Sequence, residues 1–214
     1  MANPIVWKNV AIDMQSVIGE AITITGITKA DPGVVTAVAH GLADGDIVYL
    51  EVQGMRQLNE KPVRVANKTT DTFELEGVDT TLFDTFSSGT AQEVTLGSSI
   101  TTATTISASG GNFGFVDTTT IHANAKSQIP GLPEPVTFTM DNIWDVTDAG
   151  LLAMKVASDA QARRVFKFTF GDGGAVFYFA GYVGASLLPG GQAQGLVTTS
   201  AVITINSTAT YYAS

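Results

Sequence analysis

The amino-acid sequence predicts a mainly β fold. It is a β-sandwich or barrel with one short packed α-helix, interrupted by an inserted small all-β domain. Three observations lead there. Apolar and other residues alternate at period two through residues 165–170 and 197–205, the spacing of strands with one covered face. Turn-forming clusters recur through residues 27–94 at about ten-residue intervals, as in small sandwiches and barrels. Thr147-Asp148 followed by Leu151, Leu152, Met154 and Val156 is the one stretch that starts and continues like a helix.

The predicted organisation is a core of residues 1–26 and 95–214 with an insert at 27–94. In the insert, Asp31-Pro32-Gly33 is a turn, and residues 33–38 follow as a strand. His40-Gly41-Leu42-Ala43-Asp44-Gly45-Asp46 is the next turn, and strands are expected at 47–52, 62–66 and 72–75. In the core, Val116-Asp117-Thr118-Thr119-Thr120-Ile121 reads as a strand. A loop leads to a Pro-Gly turn at Ile129-Pro130-Gly131-Leu132, and Val136-Thr137-Phe138-Thr139-Met140 as a second strand. Thr147 is the expected helix cap and Asp148 the first helical residue, favourably placed against the helix dipole. Gly150 weakens this helix, so packing must hold it. A hairpin follows, residues 165–170 and 175–183 about the turn Gly171-Asp172-Gly173-Gly174. Its first strand turns Phe166, Phe168 and Phe170 one way. Its second is apolar on both faces and needs cover on each. The last strand, 197–205, is expected to face Val197, Thr199, Ala201, Ile203 and Ile205 to the core.

Composition narrows the function. The net charge of −9 argues against wrapping on DNA or an anionic membrane, which takes clustered Lys and Arg. Arg163-Arg164, beside Lys167, is the single adjacent basic pair and reads as a solvated strand edge. Residues 27–94 carry 5 basic and 11 acidic residues, and the other 146 positions carry only 6 and 9. Residues 94–116 and 173–214 carry none. A typical domain has about a quarter of its residues charged, so a surface this poor in charge predicts cover by other copies of the chain. The uncharged stretches are too short or too rich in Thr, Ser and Gly to be membrane spans. Residues 1–8 do not have the form of a secretory signal, and the N-x-S/T triplets at Asn67 and Asn206 are read as chance.

Catalytic parts are missing. There is no cysteine and no Gly-x-Ser-x-Gly elbow, so the usual acyl-transfer chemistry has no nucleophile. Gly171-Asp172-Gly173-Gly174 lacks the Lys-Ser/Thr of a phosphate loop and reads as a hairpin turn. His40 and His122 stand alone and read as structural, His122 at a strand end. Asp44-Gly45-Asp46 lacks the rest of a calcium loop. Trp7 and Trp144 read as packing anchors, and no carboxylate pair stands in an aromatic-lined segment. No cofactor or metal is expected.

The order from Val116 to Met140, with the helix start, hairpin and Thr-rich final strand that follow, resembles the major tail tube proteins of long non-contractile bacteriophage tails. The resemblance covers residues 100–206. The insert, through Ala39-His40-Gly41-Leu42, Asp44-Gly45-Asp46 and residues 67–75, is similar to a small β module recurrent in virion proteins.

The resemblance implies a tail-tube-type β-sandwich or barrel and a structural virion protein, not an enzyme. It implies homo-oligomeric hexameric rings stacked into a tube that conducts genomic DNA during ejection. The tape-measure protein would share the lumen, and tail-tip and tail-terminator proteins would close the ends. The protein would be part of the virion tail, assembled in the host cytoplasm, without membrane insertion. Residues 98–113 and the loop 122–135 would reach neighbouring rings. His122, Ala123, Asn124, Ala125, Lys126, Ser127 and Gln128 would form the inter-ring loop, anchored by Ile129 and Pro130. Asp117, Thr118, Thr119, Gly131, Leu132, Phe138 and Trp144 would be motif or packing positions. Few of Lys8, Lys126, Lys155, Arg163, Arg164 and Lys167 should face the lumen, and the acidic insert should lie outside. The alternative is a virion-associated glycan- or receptor-binding β module.

Overall fold

The computed structural model describes residues 7–171 and 174–213. Its strands are β1 (Ala11–Ile24), β2 (Gly26–Ile27), β3 (Val34–Thr36), β4 (Ile47–Gln53), β5 (Lys61–Ala66), β6 (Thr72–Leu75), β7 (Ser88–Ser99), β8 (Ala103–Ser109), β9 (Phe113–Asp117), β10 (Gln128–Pro133), β11 (Val136–Ile143), β12 (Arg163–Thr169), β13 (Val176–Ala185), β14 (Thr198–Ile205) and β15 (Thr210–Tyr212). The helix α1 spans Ala149–Asp159. The fold is mainly β and antiparallel, as the sequence predicts.

Two long strands organise it. β1 pairs with β12 through Ala11–Met14 and with β7 from Asp13 to Ile24. Beyond Ile24 the same strand runs on as β2 and pairs with β3, so β2-β3-β6-β5-β4-β7-β1 closes on itself as a small barrel. Its interior holds Val35, Leu50, Met55, Leu58, Val63, Phe73, Leu75 and Ala91, all fully buried. Closure removes the free edges that a sheet this small would expose. His40 stays in this barrel as a structural residue. Its Nδ1 accepts from Leu42 N–H at 3.1 Å, Nε2 lies 3.2 Å from the Thr72 carbonyl oxygen, and the ring meets Phe73 edge-on. Asp44 and Asp46 accept from the N–H groups of Lys68 and Ala43, which explains that turn without an ion. β7 runs without a break through residue 94, where the insert was expected to end.

The other part of the sheet, β1-β12-β13-β14-β11-β8, curls round α1. Phe166, Phe168, Phe177 and Phe179 stack with ring centroids 4.9–5.6 Å apart, and Phe138 joins them at 5.3 Å from Phe179. The expected facing of both hairpin strands and of β14 holds: Thr199, Ala201, Ile203 and Ile205 are buried, while Val197, just before the strand, is exposed. Two residues of the expected hairpin turn, Asp172 and Gly173, lie outside the described residues.

The helix departs from expectation in detail. Asp148, not Thr147, is its cap, with Oδ1 accepting from Leu151 N–H at 2.8 Å. Thr147 instead donates to Asp145. The buried stripe is Gly150, Leu151, Met154 and Ala157, whereas Leu152 and Val156 are exposed. The apolar spacing of the sequence fitted two faces, and the small residues Gly150 and Ala157 decide which one packs. A Cβ on Gly150 would lie 2.3 Å from the Ser99 carbonyl oxygen, so this glycine lets the helix sit directly on the end of β7.

A third cluster joins the two parts: Ile47, Tyr49, Val94, Val165, Tyr178, Ala180 and Tyr212. Here Arg163 is not a solvated strand edge, because β12 lies inside the sheet between β1 and β13. Its guanidinium donates to the Tyr49 and Tyr182 hydroxyls and pairs with Glu60 at 2.9 Å. The Tyr212 hydroxyl accepts from Arg64 N–H at 2.8 Å, and the Arg64 guanidinium lies 4.4 Å from that ring's centre. Burial pushes the Tyr49 and Tyr212 hydroxyls up to about 12.

Two outcomes follow from this packing. Gly150→Ala, which raises intrinsic helix propensity, should lower stability in urea unfolding by about 1–3 kcal/mol because the methyl group overpacks against Ser99. The two tyrosines bind their protons more tightly folded than unfolded. Their contribution is therefore complete below about pH 10 and is lost as pH rises toward 12. The Tm should fall across that window, and Tyr49→Phe or Tyr212→Phe should flatten the fall.

Candidate functional site, a projecting β arm

β9 and β10 form a separate two-stranded ribbon that, among the described residues, pairs with no other strand. Its base continues the β8–β11 pairing. Gly111 N–H donates to the Glu134 carbonyl oxygen at 3.1 Å and Glu134 N–H to that of Asn112 at 2.9 Å. The change of direction falls at Gly110 and Gly111, with φ of +94° and +77°, which side chains disfavour. A Cβ on Gly110 would sit 2.1 Å from the Pro135 carbonyl oxygen. From Gly111 to Asp117 the arm extends about 20 Å at the usual rise per residue.

Every residue from 107 to 130 is exposed. The register sets Asp117 opposite Gln128, Val116 opposite Ile129 and Phe115 opposite Pro130. Phe113, Phe115 and Pro130 therefore share one face, and Val116 and Ile129 the other. Phe113 is 53% exposed, Phe115 64%, Val116 55%, Ile129 54% and Leu132 90%. An isolated two-stranded ribbon is at best marginally stable in water, and contiguous exposed apolar residues mark contact surfaces. The arm lacks cover on both faces.

This geometry corrects the local reading of the sequence. The strand ends at Asp117, so Thr118 to Ile121 belong to the loop and His122 does not end a strand. Ile129-Pro130-Gly131-Leu132 is not a turn but the middle of β10. A proline is tolerated there because each strand of a two-stranded ribbon has a free edge. Ile129 and Pro130, expected to anchor the tip loop, are exposed and pair with Val116 and Phe115 just behind it. Gly131 sits where a Cβ would come 3.0 Å from the Gly114 carbonyl oxygen, the close approach of two glycines across the ribbon.

His122, Ala123, Asn124, Ala125, Lys126 and Ser127 form the arm's tip, all exposed, with Gln128 opening β10. The tip is ordered by its own polar groups. Thr118 N–H donates to the Ser127 carbonyl oxygen at 2.9 Å, Ser127 N–H to Thr119 Oγ1 at 3.0 Å, and Thr119 N–H to Asp117 Oδ1 at 2.8 Å. The Thr119 hydroxyl and N–H hold the Asp117 carboxyl below its ordinary range. Phe138 and Trp144 are elsewhere. Phe138 packs in the body's aromatic stack, and Trp144 Nε1 donates to the Leu187 carbonyl oxygen at 2.9 Å. Sequence reasoning passed over Phe113 and Phe115. Their signal was two aromatic residues at period two about a glycine, within an uncharged stretch.

Further exposed apolar side chains lie on the body. Val146, Leu152 and Val156 are exposed on and before α1, as are Leu188 and Leu196 in the loop after β13. Among the described residues no three metal-ligating side chains gather, and no helix is long and apolar enough to cross a membrane.

The family described as phage tail tube protein matches residues 53–214. The chain belongs to that family. The match takes in the arm, α1 and every strand of the curled sheet except β1, and begins at the end of β4, inside the stretch that sequence alone set apart as an insert. Among curated proteins nothing matches the chain. Tail tube proteins are structural, and membership carries homo-oligomeric assembly into a tube within the virion tail.

For this tail tube protein, Phe113→Ser with Phe115→Ser should leave the monomer's Tm within about 1 °C, since exposed substitutions change stability little. The same variant should lose self-assembly at least tenfold, read by light scattering. Assembly at the wild-type rate would remove the arm from the contact surface.

Proposed function

We propose that the protein forms stacked hexameric rings that make the tail tube and conduct genomic DNA during ejection. The observation that carries this reading is the arm, an apolar ribbon uncovered on both faces in a chain whose last 42 residues bear no charge. Such a chain gains most by burying its surface against copies of itself. His122, Ala123, Asn124, Ala125, Lys126, Ser127 and Gln128 make contacts between rings, with Ile129 and Pro130 behind them. The sixfold number comes from the likeness to long-tailed phage tube proteins.

DNA must slide without sticking, so the lumen wall is neutral or acidic. Two of the few basic side chains in the curled sheet and helix are already engaged, Arg163 by Glu60 and Lys155 by Asp159. In our reading the barrel built around residues 27–94 lies outside the tube and decorates it. The tape-measure protein shares the lumen, tail-tip and tail-terminator proteins cap the ends, and assembly takes place in the host cytoplasm.

Negative-stain images of the purified protein at high concentration should contain rings or tubes with a central channel. Solvated monomers at every concentration would refute the proposal. Because the native chain has no cysteine, Val38→Cys can report on the outer barrel. Maleimide should label it equally in monomer and tube, and protection in the tube would contradict the external placement.

A further inference from the structure

Among the described residues the curled sheet does not close: β8 pairs with β11 on one side only, and between its free edge and the start of β1 lies an open groove of about 800 Å³. Trp7, Val10, Ile12, Ile100, Ala103 and Ile106 supply its apolar lining. Ile12 and Ile100 form the floor at 4% and 5% exposure, and Trp7 is 60% exposed at the rim. The charged residue in the lining is Asp13, already bound by the Ser99 hydroxyl at 2.5 Å. Grooves of this size accept ligands of several rings. This one also offers a row of unpaired backbone groups along β8, with no charge or proline from Ala103 to Ser109 to discourage pairing.

We infer that this groove receives the β9–β10 arm of another copy of the chain, with Phe113 and Phe115 on the apolar floor and an edge of the ribbon against β8. The inference rests on the tube reading and adds the acceptor to it. Three observations select a second copy as the occupant. The faces of the arm and the floor of the groove are apolar, and the groove's one charged lining residue, Asp13, is already engaged, so neither suits a charged partner. The arm is a ribbon with free edges, the shape that an unpaired strand beside an apolar trough takes up. Most decisive is their placement. β8 begins in the groove, at Ala103 to Ile106, and runs into the arm from Ser109. Donor and acceptor therefore lie at successive positions along one ribbon. A copy displaced along that ribbon presents its groove to the arm of the first. Such a contact uses different surfaces on the two partners, and because the copies are displaced along the ribbon rather than rotated back onto the first, it repeats as an open filament instead of closing into a ring.

Two single-cysteine chains test this in the otherwise cysteine-free protein. Gln128→Cys lies on the arm face shared with Pro130, and Thr105→Cys lies on β8 in the groove; both positions are exposed. The two variants are mixed, assembled and treated with a short bismaleimide. The inference predicts a covalent dimer in the mixture at least tenfold more abundant than in either variant alone. Ile106→Glu, which charges the groove, should abolish elongation as Phe113→Ser/Phe115→Ser does. Mixing those two defective chains should restore paired units but no long filaments. If tubes form and the mixture yields no dimer, the arm docks elsewhere and this inference fails while the tube reading stands. If the wild-type chain makes no tube under any condition, both fail.

Discussion

A β-ribbon of two strands has one row of backbone partners and no interior, so apolar side chains on both its faces stay in water until something else covers them. β9 and β10 are held in that condition. Their base continues the β8–β11 pairing through Gly110 and Gly111, and none of the described residues folds back over Phe113, Phe115, Val116 or Ile129. The rest of the structure supplies what such a ribbon needs from a neighbour. There is an unclosed sheet edge, an apolar groove beside it, and a body whose surface bears little charge.

The body can tolerate an open edge because its stability comes from elsewhere. β1 belongs to both the small barrel and the curled sheet, and β7 pairs with it from Asp13 to Ile24, so no loop has to orient one part on the other. The joint is packed by Tyr49, Val165, Tyr178 and Tyr212 and tied by Arg163 and Arg64. A half-buried guanidinium with paired hydroxyls and a carboxylate fixes geometry more than it adds net energy. In the tube proposed above, the acidic barrel would thereby be a fixed projection of the wall.

The sequence made the strands legible wherever one face is buried and the other wet. Residues 72–75 match β6 to the residue, and the alternation in 165–170 and 199–205 gave the correct inward faces because burial enforces period two, Val197 falling before the strand and staying exposed. It failed where burial does not operate. Pro130-Gly131 carries turn chemistry, yet in an edge ribbon a proline costs no pairing and a glycine lets the strands approach, so the segment is β10. The helix stripe was misplaced because Leu152 and Val156 look like core, while the residue that packs closest to β7 is Gly150. Arg163 looked solvated because its partners, Tyr49, Glu60 and Tyr182, are remote in sequence. Of the site, the tip loop was legible from the family likeness. Phe113, Phe115 and the groove were not, since each depends on which strand is left at an edge.

Amide hydrogen exchange compared between dissolved monomer and assembled protein tests the central claim most directly. The account predicts that residues 113–133 and the outer edge of residues 103–109 exchange fast in the monomer and become strongly protected on assembly, with α1 and the small barrel's interior unchanged. Equal, fast exchange of both segments in the assembled protein would contradict it.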